Sequence, residues 1–139
     1  MAATATARWN GSLDEGSGSM STATGLSGPF SKASRFADGA GTNPEELIGA
    51  AHAGCFSQFL AGLLSRNGTP ADSIETTAKV SIVVGDGGPN INKISLSTVV
   101  GVDLPEEEIN RFADEAKVGC PVSKALAGVG EITLKVSKG

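Results

Sequence analysis

Residues 43–66, NPEELIGAAHAGCFSQFLAGLLSR, decide the fold, because they read as one long helix between segments of β-type sequence. Asn43 is a good helix N-cap, Pro44 suits the first helical position, and Glu46 completes a capping-box pattern. From position 47 to 64 the residues are apolar or small on nearly every side, which is typical of a buried helix. The sequence therefore predicts a long central helix over residues 43–66.

The segments on either side of this helix are rich in strand-forming residues. Residues 1–40 alternate short β-prone pieces with Gly/Ser turns and predict an N-terminal β meander, and residues 74–104 predict a β hairpin. Residues 105–128 predict two helices, and residues 130–137 predict a final strand. This order of elements indicates an α+β fold rather than a doubly wound parallel sheet.

Length and charge limit the classes of function. The chain has 139 residues, the size of one domain, so we predict a single domain over residues 1–139. Eleven Lys and Arg against fifteen Asp and Glu give a net charge of −4, which disfavours binding to nucleic acid. We find no window of about 20 apolar residues and no signal-peptide pattern, so we expect a cytoplasmic protein without membrane contact.

The residue types present also disfavour a metal or nucleotide site. Two cysteines and one histidine make a poor zinc site, because closed structural sites use about four such ligands. The glycine-rich segments match no nucleotide-binding pattern, and the acidic run at 105–108 suits the first turn of a helix. Nineteen glycines and only 4% aromatic residues predict a core of small residues, which motivates the hypothesis of an oligomer.

The two cysteines are the candidates for chemistry. Cys55 lies mid-helix, beyond the reach of the helix dipole, and in an apolar setting its pKa would be raised and the thiol inert. His52 lies three residues earlier on the same face, so it can be imagined in a Cys-His dyad or as a satisfied buried histidine. Cys120 stands between Gly119, a predicted helix cap, and Pro121, which opens the next helix, so it is either a boundary residue or half of a reaction.

The motifs TNPEEL, AGCF, SRF and GCPVS occur here in an order and spacing that closely resemble the OsmC branch of the OsmC/Ohr family of thiol-dependent hydroperoxidases. The resemblance covers nearly the whole chain, although the first thirty residues match only in general character. It implies an OsmC-like fold, with antiparallel sheets around the central helix and an intertwined homodimer. It also implies reduction of organic hydroperoxides in oxidative and osmotic stress defence, without flavin, haem or metal.

The resemblance also implies the roles of four residues. Cys55 corresponds to the peroxidatic cysteine, which becomes a sulfenic acid, and Cys120 to the resolving cysteine, which forms a disulfide with it. Arg35, in SRF, corresponds to the arginine that activates the thiol, and Glu45 to the carboxylate that orients the arginine. An external dithiol or a lipoyl protein would then reduce the disulfide. We expect the substrate pocket to use Phe and aliphatic groups, with Phe36, Phe56 and Ile48 as candidates.

Helix geometry supports a shared site. Glu45 and Cys55 are ten residues apart on the predicted helix, which separates them by about 15 Å along its axis. If both serve one site, Glu45 and Arg35 must come from a second subunit.

Two other functions remain open from the sequence. The first is a non-catalytic, stress-induced structural or binding protein on the same fold, with both cysteines filling the core. The second is an acyl hydrolase that uses Cys55 and His52, although a nucleophile inside a helix lacks free N–H groups for an oxyanion hole.

Overall fold

The structure is a computed structural model that describes all 139 residues. It contains six strands and four helices, in keeping with the predicted α+β class. In chain order the elements are β1 (Ala5–Asn10), β2 (Ser17–Thr22), β3 (Ser27–Phe30), α1 (Lys32–Phe36), α2 (Pro44–Arg66), β4 (Ser73–Gly85), β5 (Gly88–Gly101), α3 (Glu106–Gly119), α4 (Pro121–Ala125) and β6 (Glu131–Lys138).

The chain forms two compact units, Met1–Leu47 and Ile48–Gly139, and the single domain over residues 1–139 stays a prediction. The first unit holds the sheet β1-β2-β3, whose neighbouring strands are all antiparallel. Trp9 packs on Phe30 across this sheet, with ring centroids 5.3 Å apart. These strands are the meander that the Gly/Ser turns predicted, with the first loop at residues 11–16.

A short helix, which was not predicted from the sequence, follows the meander. The Ser31 hydroxyl accepts a hydrogen bond from the Ser34 N–H, and the Ser34 hydroxyl accepts one from the Ser31 N–H, so the two serines form a capping box for α1. With five residues and no apolar repeat, this helix gives no periodic signal in the sequence. Its importance is that it carries Arg35.

The second unit is built on the sheet β4-β5-β6. β4 and β5 form the predicted antiparallel hairpin, and the turn needs only residues 86 and 87. β6 runs parallel to β5, which differs from the all-antiparallel sheets expected from the sequence. The chain crosses over through α3 and α4 before β6, and such a crossover connection is what a parallel pair requires.

Helix α2 begins at Pro44, where the Asn43 side chain accepts the Glu46 N–H at 2.8 Å, as the predicted N-cap requires. Glu46 does not complete the capping box, because its carboxylate accepts instead from the Thr42 hydroxyl. Further along, the Ser57 hydroxyl donates to Thr76 of β4 at 2.7 Å.

Helix α2 is less buried within the described chain than the sequence suggested. Phe56, Leu60 and Leu64 are fully buried in the core of the second unit, but small residues such as Ala51 and Gly54 on another side are exposed. The apolar character on all sides therefore did not mean burial on all sides. This exposed side is the kind of surface against which another helix can pack closely.

Helix α2 also corrects the expectation about membrane-length segments. By length and composition, residues 44–66 are apolar enough to cross a bilayer. The sequence-based expectation looked for about 20 apolar residues in one window. The mean hydropathy of this helix is high even though Ala, Gly and Ser are interspersed among its large apolar residues. Its large apolar side chains Phe56, Leu60 and Leu64 lie in the protein core.

Candidate functional site

The two cysteines, 65 residues apart in sequence, meet in the second unit. Both are free thiols, and their Sγ atoms are 2.9 Å apart. A disulfide bond is about 2.05 Å long, so a small movement would close it. The sulfurs differ in access: Cys120 is fully buried, whereas Cys55 is half-buried.

Cys120 lies at the junction of two helices. It is the C-terminal cap of α3, through its N–H bond to the Ala116 carbonyl, and the residue before α4. Gly119 is thus the last helical residue and not the predicted cap. The glycine is needed for a different reason, since a Cβ at this position would lie 2.6 Å from the ring of Phe59 on α2. This close contact brings the helix junction next to the helix that carries Cys55.

We expect Gly119→Ala to slow closure of the Cys55–Cys120 disulfide. The added methyl must displace the Phe59 ring or the end of α3, and a misplacement of reacting groups by about 1 Å can cost up to roughly a hundredfold in rate. The measurement is the rate of disulfide formation with the thiol oxidant diamide, followed by mass spectrometry. Gly128→Ala, where a Cβ would meet no atom within 4 Å, is the matched control. Equal rates for the two variants would contradict the role assigned to the Phe59 contact.

The two thiols have different electrostatic environments. Burial raises the pKa of the Cys55 thiol, and its hydrogen bond with Cys120 raises it further. This confirms the expectation that Cys55 is a weak acid in an apolar setting. Burial also acts to raise the pKa of Cys120, but hydrogen bonds with Cys55 and Ser123 and with the Val122 backbone outweigh it, so that pKa is lowered.

His52 does not contact the thiol of Cys55 as a dyad would require. Its Nε2 atom instead lies 2.8 Å from the Ser123 hydroxyl, and its Nδ1 atom has no partner. The ring is fully buried, and desolvation lowers its pKa, so it is neutral near pH 7. This arrangement is the buried histidine of the sequence analysis, with a serine partner 71 residues away that no local pattern indicated.

A shallow depression of about 290 Å³ opens beside Cys55. Its other lining residues are Gln58, Phe59, Gly62, Arg66 and Pro121. None of these five was predicted from the sequence as a pocket residue. Four of them follow Cys55 on α2 at intervals of three, four, seven and eleven residues, which is the spacing of one helix face and could have indicated them.

The residues suggested from sequence as pocket candidates lie elsewhere. Phe56 is fully buried in the core and so cannot line an open depression. Ile48 packs against the same core, and Phe36 is exposed in the first unit next to the Arg35 guanidinium. Adjacency in sequence misled here, because consecutive residues on a helix point in different directions.

Arg35 and Glu45 form a close ion pair within the first unit. Arg35 Nε lies 3.0 and 3.2 Å from the two Glu45 carboxylate oxygens, and Nη2 lies 2.6 Å from Oε1. Glu45 is buried, whereas about a third of the Arg35 side chain remains exposed. The carboxylate thus fixes the direction of the guanidinium and leaves part of it free for another anion.

The four residues singled out by sequence therefore form two pairs, the thiols in the second unit and the ion pair in the first. Glu45 and Cys55 lie on the same continuous helix, about 15 Å apart along its axis. No group of three or more His, Cys, Asp or Glu side chains is arranged to hold a metal ion.

The sequence of this chain is similar to those of several known proteins. Residues 37–135 match the family model described as OsmC, OsmC-like protein. The chain is 44% identical over 131 residues to peroxiredoxin OsmC of Escherichia coli K12. This match covers 92% of this chain and 90% of the relative. It is 31% identical over 97 residues to organic hydroperoxide resistance protein OhrA of Bacillus subtilis, covering 70% and 68% of the two chains.

Solved structures give the same answer for the fold. The organic hydroperoxide resistance protein OhrB of Bacillus subtilis superposes with a TM-score of 0.76 at 27% identity, over 96% of this chain and 98% of that one. With the family model matching 99 positions and a curated relative covering nearly its full length, this chain belongs to the OsmC family.

Proposed function

We propose that this protein is a thiol-dependent peroxidase that reduces organic hydroperoxides to alcohols and serves in defence against oxidative and osmotic stress in the cytoplasm. The observation that carries the proposal is the 2.9 Å approach of the Cys55 and Cys120 sulfurs, with Cys55 lining an open depression and Cys120 fully buried. The names peroxiredoxin and organic hydroperoxide resistance protein, borne by its relatives, support the same class of reaction.

In the first step the Cys55 thiolate attacks the terminal oxygen of the hydroperoxide. A sulfur–oxygen bond forms as the oxygen–oxygen bond breaks, and the alkoxide leaves and takes a proton to become the alcohol. The peroxide is reduced by two electrons, and Cys55 is oxidised to a sulfenic acid. The half-buried position of Cys55 suits this step, because the peroxide can approach from the depression.

In the second step the Cys120 thiolate attacks the Cys55 sulfur. A disulfide bond forms as the sulfur–oxygen bond breaks, and hydroxide leaves and is protonated to water. An external dithiol, such as a reduced lipoyl group, then exchanges with the disulfide and restores both thiols. No flavin, haem or metal enters this cycle.

The cation that activates Cys55 is proposed to come from a second copy of the chain. Burial raises the pKa of Cys55, so the thiol needs a nearby positive charge to ionise near pH 7. Arg35, aimed by Glu45, is that charge, and it would act from the partner subunit because Glu45 and Cys55 are about 15 Å apart along α2. The exposed small side chains on α2 would allow close packing within such a homodimer.

The depression also favours an organic substrate. Phe59 and Pro121 provide apolar contacts for the carbon group of a hydroperoxide, and Arg66 also lines the depression. Hydrogen peroxide has no carbon group to use these contacts. We therefore expect a preference for alkyl over hydrogen peroxide.

The test is consumption of cumene hydroperoxide and of hydrogen peroxide in the presence of dithiothreitol or dihydrolipoamide. We expect faster loss of the organic peroxide and a mass spectrum that shows the Cys55–Cys120 disulfide after one equivalent without reductant. An ester substrate assayed in parallel tests the acyl hydrolase alternative. Absence of turnover with every peroxide and both dithiols would contradict the proposal and favour a non-catalytic binding protein.

A further inference from the structure

A buried polar chain leads from His52 toward the two sulfurs, and the cycle proposed above assigns it no role. His52 is fully buried on α2, and its Nε2 atom lies 2.8 Å from the hydroxyl of Ser123, which is itself buried. Ser123 follows Cys120 by three residues in a turn closed by the bond from the Lys124 N–H to the Cys120 carbonyl. Side chains three residues apart in a helical turn are neighbours, so Ser123 lies on the same face of the turn as Cys120.

The tautomer of His52 decides which group donates in its hydrogen bond with Ser123. A neutral imidazole carries one N–H, and the Nδ1 atom has no partner. An unpaired buried N–H is rarer in proteins than an unpaired acceptor, so the proton belongs on Nε2. Nε2 then donates to the Ser123 oxygen, which leaves the serine hydrogen free to point at another acceptor.

The Cys120 sulfur is the neighbouring acceptor on the same turn toward which this hydrogen can rotate. The Cys120 side chain makes no capping bond of ordinary geometry to the α4 backbone, yet the hydroxyl and N–H of Ser123 lie near enough to lower the Cys120 pKa. A thiolate attracts such donors more strongly than a thiol does. The contact would therefore shorten when Cys120 ionises.

We propose that His52 is a positioning residue for Cys120: by donating to Ser123 it orients the serine hydroxyl as a donor toward the Cys120 sulfur, and so favours the thiolate form of Cys120 that attacks oxidised Cys55. This inference rests on the proposed peroxidase function only for what the Cys120 thiolate does. The effect of His52 and Ser123 on the Cys120 pKa does not depend on that function. His52 does not take up the thiol proton, and the disulfide forms with loss of hydroxide as described above.

Few other ionisable groups lie around His52, Ser123 and Cys120. Cys55 contacts Cys120 from α2. Lys117 of α3 and Lys124 of α4 line, together with Ser123, a surface depression of about 220 Å³. The buried β5 residues of the surrounding core, Ile94 and Leu96, are apolar. Lys117→Gln and Lys124→Gln are therefore the controls for a simple effect of nearby positive charge.

The first measurement is the ionisation of Cys120 in a Cys55→Ser background, where thiolate absorbance near 240 nm reports one sulfur. Ser123→Ala removes the donor and should raise the Cys120 pKa by about one unit. His52→Leu should raise it by at least about half a unit, whereas His52→Gln, whose amide can still donate to Ser123, should leave it near the starting value. If the leucine variant does not fold, His52→Asn replaces it, because the shorter amide does not reach Ser123.

The second measurement is the rate at which the Cys55 sulfenic acid converts to the disulfide, with Cys55 and Cys120 both present. Ser123→Ala and His52→Leu should slow this step about tenfold at pH 7 and approach the original rate at higher pH, where Cys120 is ionised without help. His52→Gln should keep the original rate and pH profile. A merely structural histidine would not give a loss that rising pH reverses.

Three results would overturn the inference. An unchanged Cys120 pKa in all variants would show that His52 and Ser123 do not act on Cys120. Equal losses of the disulfide-forming rate in His52→Gln and His52→Leu would show that the ring acts as a base. A shift in Ser123→Ala without one in the His52 variants would show that the serine acts alone. Failure of the proposed peroxidase function is a separate outcome, because the absorbance measurement needs no peroxide.

Discussion

Replacing Cys55 with serine will abolish peroxide reduction, with a loss of at least about three orders of magnitude. The hydroxyl of serine is not ionised near neutral pH and so is not a nucleophile toward the oxygen–oxygen bond. The exchange removes little volume from a half-buried position, so the fold should be retained. Peroxide loss in the presence of dithiothreitol, with circular dichroism as a check on folding, measures this result.

Cys120→Ser is the matched control, since it removes the second sulfur and leaves the first. We expect this variant to consume about one equivalent of peroxide rapidly and then to stop or to accumulate sulfinic acid at Cys55. Normal turnover by Cys120→Ser would mean that the external thiol attacks the sulfenic acid directly. Residual activity in Cys55→Ser would instead contradict the assignment of the nucleophile.

The second large effect is expected at the ion pair, where Arg35→Ala should reduce the rate of Cys55 oxidation by about a hundredfold or more. The guanidinium is the proposed source of positive charge for a thiol whose pKa burial raises. Arg35→Lys should recover little, because lysine keeps the charge but not the two-pronged geometry toward Glu45. Stopped-flow oxidation as a function of pH is the measurement, and activity of Arg35→Ala should rise with pH.

The control for a general charge effect is Arg111→Ala. Arg111 is exposed on α3 and stacks on Phe112, and it belongs to neither pair of site residues. It should leave the rate and the pH profile unchanged. Equal profiles for Arg35→Ala and Arg111→Ala would contradict the activating role of Arg35.

The same variants test whether the site is shared between subunits. Neither Cys55→Ser nor Arg35→Ala has a complete site in a homodimer. In a mixed dimer one of the two sites would combine an intact Cys55 with an intact Arg35 from the other chain, so activity should return after subunit exchange. Persistent inactivity of verified mixed dimers, or a fully active monomer in light scattering, would contradict the shared site.

Long local patterns in the sequence allowed the central parts of the fold to be predicted. The cap at Asn43 and the β-branched runs around residues 86 and 87 each depend on neighbouring residues, so α2 and the β4–β5 hairpin could be recognised. The closeness of Cys55 and Cys120 was expected only from the family resemblance. Nothing in the spacing of the two cysteines contains this information.

The features that were missed depend on distant contacts or on very short segments. The bond between His52 and Ser123 joins residues 71 positions apart, and α1 is too short for a periodic signal. The parallel pairing of β6 follows from the path of α3 and α4 across the sheet, which no local propensity specifies. The partial exposure of α2 was missed because small residues look the same whether they face a core or a partner.

The 65-residue separation of the two cysteines has a consequence for folding as well as for catalysis. Joining them would remove conformational entropy from the unfolded chain, which by loop-closure arguments favours the folded state by about 4 kcal/mol. That is a large part of the roughly 5–15 kcal/mol that stabilises a typical domain. By thermodynamic linkage the same free energy opposes reduction of the disulfide in the folded protein. The protein would therefore resist unfolding best when peroxide is abundant, and each return to the dithiol would give up that protection.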